Sequence, residues 1–210
     1  MKLTIFGATG ATGTYLTDQA VAAGHEVTAV VRDPARLAAA AHPLLHVVTA
    51  DVMDPDSIVP AVTGSDAVLT AIGPRGTGPT TVIQDSARAI IAAMEKSGGR
   101  RLLLLSGSIV ADEGESPYLR LVKPLARRTF LRHVCADMRA AESEVRVSGL
   151  DWTIVRPPAL TSKPATARYR TAIDSNLPHG FRVSRADLAA CLLALVDDPA
   201  SVRRHIGVAA

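Results

Sequence analysis

Gly7-Ala8-Thr9-Gly10-Ala11-Thr12-Gly13 is the stretch on which the fold turns. It follows a short apolar run, Lys2–Phe6, suited to a buried strand. It opens an Ala-rich helix predicted over Thr12–Ala23, closed by Gly24. A strand entering such a loop and a helix leaving it bring free N–H groups and a partial positive charge to one point, ready for a diphosphate. The first glycine permits the tight turn and the second lets backbone approach the phosphates. The third lets the helix pack closely on the strand. The spacing is GxxGxxG rather than GxGxxG. With no ligand, three interior glycines would be a cost with nothing to offset it.

Outward from this loop the chain alternates strand and helix. Glu26–Val31 reads as a second strand, and Asp33-Pro34 as a cap and first-turn proline opening a helix through Ala41. Leu45–Thr49 is a third strand. Asp54-Pro55 starts a short helix to Val62, and Asp66–Ala71 is a fourth strand. Val82, Ile83, Ala87, Ile90, Ile91 and Met94 keep helical spacing up to Gly98-Gly99. Leu102–Leu105 is apolar throughout, as in a strand buried on both faces. Phe130–Val147 reads as a helix, Trp152–Val155 as a sixth strand, Ser184–Val196 as the last long helix and Ile206–Val208 as a small closing strand. Residues 111–129 read as an irregular insertion, helical in part, over one edge of the sheet, and residues 161–180 as a second irregular segment. The expectation is one α/β domain over residues 1–210, a doubly wound parallel sheet covered on both faces.

Composition narrows the function classes. Apolar residues make up 48% of the 210, enough for a sizeable core, while aromatics are 3%, too few for a base-stacking platform. A net charge of +3 permits anionic ligands without demanding a polyanion. Cys135 and Cys191 form no metal or disulfide pattern and read as buried thiols of a cytoplasmic protein. No run approaches the ~20 apolar residues of a membrane span. The expected partners are therefore small molecules, not nucleic acid or membrane, with the chain a monomer or weak homodimer.

The end of the second strand decides which dinucleotide the loop would take. An acidic residue there binds a ribose 2′-hydroxyl, whereas arginine accommodates a 2′-phosphate. Here Arg32 holds the tip and Arg36 follows one turn later, while Asp33 is better explained as a cap before Pro34. The pair favours NADP(H); the alternative is two solvated arginines. Asp51 and Val52, past the third strand, are placed to hold the adenine, or else Asp51 caps its own loop. After the fourth strand, Ile72, Gly73 and Arg75 are candidates for the central part of the coenzyme.

These blocks, with Pro79-Thr80-Thr81-Val82, Ser148-Gly149-Leu150, Pro157-Pro158 and Val183-Ser184 with Asp187-Leu188, resemble the atypical short-chain dehydrogenase/reductases. The likeness is to their NAD(P)H-binding, NmrA-like branch, nearest the flavin and biliverdin-IXβ reductase group. The resemblance implies a Rossmann fold with a small C-terminal substrate-side region. It implies that Gly7, Thr9, Gly10, Ala11 and Thr12 hold the pyrophosphate region, and Arg32 and Arg36 the 2′-phosphate. Asp51 and Val52 would hold the adenine, and Ile72, Gly73 and Arg75 the middle of the coenzyme. Pro157, Pro158, Ala159 and Leu160 would meet the nicotinamide. Where that reductase group has a histidine after the double proline, this chain has Ala159.

The Tyr-x-x-x-Lys pair of classical members is absent, since Tyr15, Tyr118 and Tyr169 are followed four residues on by Gln19, Val122 and Ile173. What remains is hydride transfer to a planar acceptor such as a flavin, quinone or tetrapyrrole, which can take its proton from water. Ser106 and Ser108, just past the fifth strand, are the catalytic candidates, with strand-end capping as the alternative for each. Arg120, Lys123, Arg127, Arg128 and Arg132 form either a lid that attracts acidic acceptors or a solvated face. Asp137 and Glu142 share a helix with His133 without metal-ligand company, so no metal is expected. The resemblance also implies a second reading, a sensor that binds the dinucleotide without turning it over. A sugar-nucleotide epimerase relative is weakened by the short chain and the missing pair.

Overall fold

A computed structural model describes residues 1–111, 113–114, 117–129 and 131–210, with backbone alone for 117–122. In chain order the described elements are β1 (Lys2–Phe6), α1 (Ala11–Ala22), β2 (Glu26–Val31), β3 (Leu45–Thr49), α2 (Pro55–Val62), β4 (Ala67–Thr70), α3 (Val82–Ser97), β5 (Arg101–Leu105), α4 (Pro117–Arg128), α5 (Arg132–Val147), β6 (Asp151–Arg156), β7 (Ala159–Thr161), β8 (Arg170–Ile173), β9 (Arg182–Ser184), α6 (Arg185–Ala194) and β10 (Arg204–Ala209). Eight strands form one sheet in the order β3-β2-β1-β4-β5-β6-β10-β8, parallel except for β8, which runs antiparallel to β10. β7 and β9 pair in a separate two-stranded ribbon.

The alternation of each strand sorts its side chains between two cores. Leu3, Ile5, Val27, Ala29, Leu69, Leu103, Val155 and Ile206 pack under α1 and α6. Phe6, Val30, Val68, Leu102, Leu104, Trp152 and Ile154 pack under α2, α3 and α5. In α3 the stripe Ile83, Ala87, Ile90 and Met94 is buried, at the spacing a helix needs to keep one face inward. Burial of one such isoleucine is worth about 2–5 kcal/mol against alanine.

The sheet order places the site. From β1 the chain steps outward to β2 and β3, then crosses back to β4 on the other side of β1. In such sheets ligands bind where the winding reverses, beyond the carboxyl ends of the strands. That crevice lies between the ends of β1 and β4.

Three expectations are corrected. The helix predicted over 34–41 is a single 3₁₀ turn, Pro34–Arg36, followed by extended Leu37. Four consecutive alanines favour helix, but with no apolar stripe to bury, propensity alone does not hold one. The insertion carries α4, which packs against α5. The segment 161–180 contains β8, and β10 runs longer than predicted because β6 and β8 flank it. The helix expected from Phe130 begins at Arg132, and Phe130 lies outside the described residues.

Candidate coenzyme and active site

At Gly7 the backbone has φ +81, and an added Cβ would lie 2.8 Å from the carbonyl carbon of Ala71 and 2.9 Å from the nitrogen of Ile72. The end of β1 is thus packed hard against the end of β4. At Gly13 an added Cβ would fall 2.0 Å from the Gly7 carbonyl oxygen, so only glycine lets α1 approach the loop this closely. Gly10 is the N-cap of α1 and contributes no side-chain cap, and the first turn holds no acidic residue. The opening N–H groups therefore face the crevice without a side-chain acceptor, beside the half-buried Thr9, exposed Ala11 and buried Thr12. This cradle fits a diphosphate.

Arg32, just before the Pro34–Arg36 turn, and Arg36, its last residue, lie exposed and form no ion pair with a described residue. Asp33 Oδ1 accepts from the Ala35 nitrogen at 3.1 Å, so its carboxylate caps the turn. Asp51 Oδ1 accepts from the Met53 nitrogen at 3.1 Å and its carbonyl from the Ser57 hydroxyl at 2.8 Å, which ties it into its own loop. Val52 packs on the core under α2 and α3. Ile72 rests on the same core, while Gly73 and Arg75 stand exposed beyond β4. The Pro157 carbonyl accepts from the Ser108 nitrogen at 2.8 Å, joining the nicotinamide candidates to the serine turn. Pro158 is half-buried, Ala159 is exposed, and Leu160 packs against the α1–α6 core.

The two serines have different surroundings. Ser106 is buried, and its hydroxyl donates to Glu142 Oε1 at 2.6 Å. Arg156, the last residue of β6, donates from Nε to the same oxygen at 3.0 Å and from Nη2 to Oε2. His205 Nε2 lies 4.0 Å from Glu142 Oε2, buried and without a hydrogen-bond partner among the described residues. Burial pushes the His205 imidazole below its ordinary range and the Arg156 guanidinium adds to that, while Glu142 and Asp174 pull the other way without reversing it. Ser108 is half-buried in a 3₁₀ turn, and its hydroxyl makes no hydrogen bond to a described residue. The Ser106 hydroxyl is spent inward, whereas that of Ser108 is available.

Sequence reasoning passed over Glu142 and Arg156 as partners. The signal was present: Arg156 shares the strand face of Trp152 and Ile154, and Glu142 lies beside Ala141 on the apolar side of α5. A charge on each of two facing apolar stripes asks for the other. Asp137 has a different use. It accepts from the Ile83 and Gln84 nitrogens at 3.1 and 2.8 Å, capping α3 from across the interface.

The basic cluster divides: Lys123 and Arg127 turn inward, Arg128 and Arg132 are exposed, and the Arg120 side chain lies outside the described residues. Lys123 is 6% exposed, and its Nζ donates to the Ser108 carbonyl at 2.6 Å and the Ala111 carbonyl at 3.3 Å. Arg127 donates to the Ile109 carbonyl and, at 3.0 Å, to that of Ala111. Asn176 Nδ2 reaches the Ala111 carbonyl at 3.2 Å. These donors from α4 and the segment after β8 clamp the turn that carries Ser108.

Residues 7–199 match the model of the NAD(P)H-binding family. The chain belongs to that family. It is 30% identical over 187 residues to an uncharacterized chloroplastic protein of Arabidopsis thaliana, covering 85% of this chain and 66% of the plant protein. It is 29% identical over 204 residues to YhfK of Bacillus subtilis, an uncharacterized sugar epimerase, covering 94% of this chain and 89% of YhfK. A short-chain dehydrogenase/reductase of Veillonella parvula, solved in complex with NADP, superposes with a TM-score of 0.81 at 19% identity, covering 100% of this chain and 94% of that one. That likeness shows the fold. As a member of the NAD(P)H-binding family, this chain presents its glycine loop at the crevice where the sheet reverses. No described helix is long and apolar enough to cross a membrane.

Proposed function

We propose that this chain is an NADPH-dependent reductase that passes a hydride to a planar acceptor of flavin, quinone or tetrapyrrole type. The observation that carries the reading is the tip of β2. Two exposed guanidiniums stand there without a carboxylate partner among the described residues, and Asp33 beside them is occupied as a cap. Guanidiniums in that position suit a 2′-phosphate, and no free carboxylate competes for a 2′-hydroxyl.

Bound NADPH would supply the hydride, and the protein's part is binding, orientation and exclusion of water. Gly7, Thr9, Gly10, Ala11 and Thr12 would hold the diphosphate, Asp51 and Val52 the adenine, and Ile72, Gly73 and Arg75 the middle of the molecule. Residues Pro157 to Leu160 would wall the nicotinamide. Ser108 is poised to donate to the coenzyme amide or an acceptor oxygen. A planar conjugated acceptor takes two electrons with the hydride and its second proton from water, so no protein acid is required. Cytoplasmic residence belongs to the same reading and is supported by two buried free cysteines.

The experiment is a screen of flavins, quinones and tetrapyrroles with NADPH, followed by loss of reduced-nicotinamide absorbance. Turnover of one acceptor class is expected. Tight NADPH binding with no turnover of any acceptor would instead favour the second reading, a dinucleotide sensor. The absence of a Tyr-x-x-x-Lys pair and the inward commitment of Ser106 favour that alternative.

A further inference from the structure

Between the end of β6 and the start of α6, residues 157–184 carry Lys163, Arg168, Arg170 and Arg182 against a single acid, Asp174. Their balance accounts for the whole net charge of +3, so the rest of the chain is neutral. Asp174 is itself taken, accepting from Arg204 Nη1 at 2.7 Å and from the His205 nitrogen at 3.0 Å. The four cations are exposed, and none has a carboxylate partner among the described residues.

This segment is firmly held. The Asp187 carboxylate accepts from the Thr166 and Ala167 nitrogens at 2.8 and 2.9 Å, fixing the turn before Arg168. Burial pushes that carboxylate up, but the hydrogen bonds from Ser184, Thr166 and Ala167 outweigh it and keep it ionised below its ordinary range. Asn176 ties the middle of the segment to the Ala111 carbonyl. β9 places Arg182 opposite Ala159, and the Arg182 carbonyl accepts from the Ala210 nitrogen at 3.0 Å. β8 places Arg170 opposite Ala209. Arg170 and Arg182 therefore meet the adjacent residues Ala209 and Ala210 at the carboxyl end of β10, with Arg182 also paired to the strand that follows Pro158.

Uncompensated like charge on a rigid segment destabilises a fold, and its usual return is attraction of an opposite charge. The coenzyme phosphates already have the glycine loop, Arg32 and Arg36. We infer that Arg168, Arg170 and Arg182 select an acceptor bearing an anionic group, a carboxylate, phosphate or sulfonate outside its planar ring. This inference rests on the reductase reading above.

The test compares kcat/KM, in the parent and in the variant below, for acceptors with and without an anionic substituent: FMN against riboflavin, and 1,2-naphthoquinone-4-sulfonate against 1,2-naphthoquinone, with NADPH saturating. The charged member is expected to be favoured about 10-fold or more at low ionic strength, within the range of electrostatic steering. The ratio should fall toward one in high salt, where the screening length drops to about 3 Å at 1 M, and in the triple variant Arg168→Gln, Arg170→Gln, Arg182→Gln. Equal rates within both pairs would overturn the inference while leaving the reductase reading standing, as would a preference that survives in the triple variant. Reduction of none of the four would remove flavins and quinones as acceptors, and this inference with them.

Discussion

The hydroxyl of Ser106 donates to Glu142 Oε1 at 2.6 Å, and Arg156 closes the same carboxylate from β6. A serine at the end of β5 is where a catalytic hydroxyl is sought, yet this one points into a buried ion pair. Ser106→Ala is therefore expected to act on stability, costing about 1–3 kcal/mol by leaving Glu142 short of one donor. Ser108→Ala should slow turnover and leave the melting temperature near that of the parent. Denaturant unfolding and steady-state rates on the two variants check the assignment, and the reverse pattern would refute it.

Removing Glu142 should be worse than removing Ser106. Glu142→Ala strands the Arg156 guanidinium in a site where its side chain is 14% exposed. A buried pair broken on one side typically loses about 3–5 kcal/mol. The expected result is a lower denaturation midpoint with an unchanged denaturant slope. A variant as stable as the parent would mean that Arg156 finds another partner or reaches water.

His205 makes stability depend on pH. Its imidazole titrates below its ordinary value of about 6.5 in the fold and near that value in the unfolded chain. Above that value both states are neutral and the contribution is complete. As the pH falls through it, the unfolded chain takes up a proton that the native state resists, and stability is lost. The melting temperature should decline from pH 7 to pH 5 more steeply in the parent than in His205→Gln. Parallel declines would rule this group out as the cause.

Gly13 should tolerate no side chain. A methyl group there would sit 2.0 Å from the Gly7 carbonyl oxygen, which is backbone and cannot swing away. Gly13→Ala is expected to cost at least about 1–3 kcal/mol through overpacking. It should also weaken coenzyme binding, because the loop must move to accept it. Calorimetry with and without NADPH reads both effects.

Local features were legible in the sequence and remote pairings were not. The glycine loop, the Arg32 tip and the buried parallel strands each declare themselves within a few residues. β8 did not, because Arg170-Thr171-Ala172-Ile173 has no apolar run and its strand character comes from pairing with β10. The run Ala38–Ala41 misled in the other direction, since its propensity has no packing behind it. Lys123 could not be read as buried, because the carbonyls that hold it belong to residues 108 and 111, placed by a different part of the fold. Glu142 and Ser106 are 36 residues apart, and only the docking of α5 beside β6 brings them together.

Titration of NADPH and NADH against the parent protein and the Arg32→Ala, Arg36→Ala double variant measures the claim on which everything else depends. NADPH should bind about 10-fold or more tightly than NADH, a difference of about 1.4 kcal/mol. The double variant should lose that margin and keep its affinity for NADH. Equal binding of the two coenzymes by the parent, or an NADPH affinity untouched by the loss of both arginines, would contradict it.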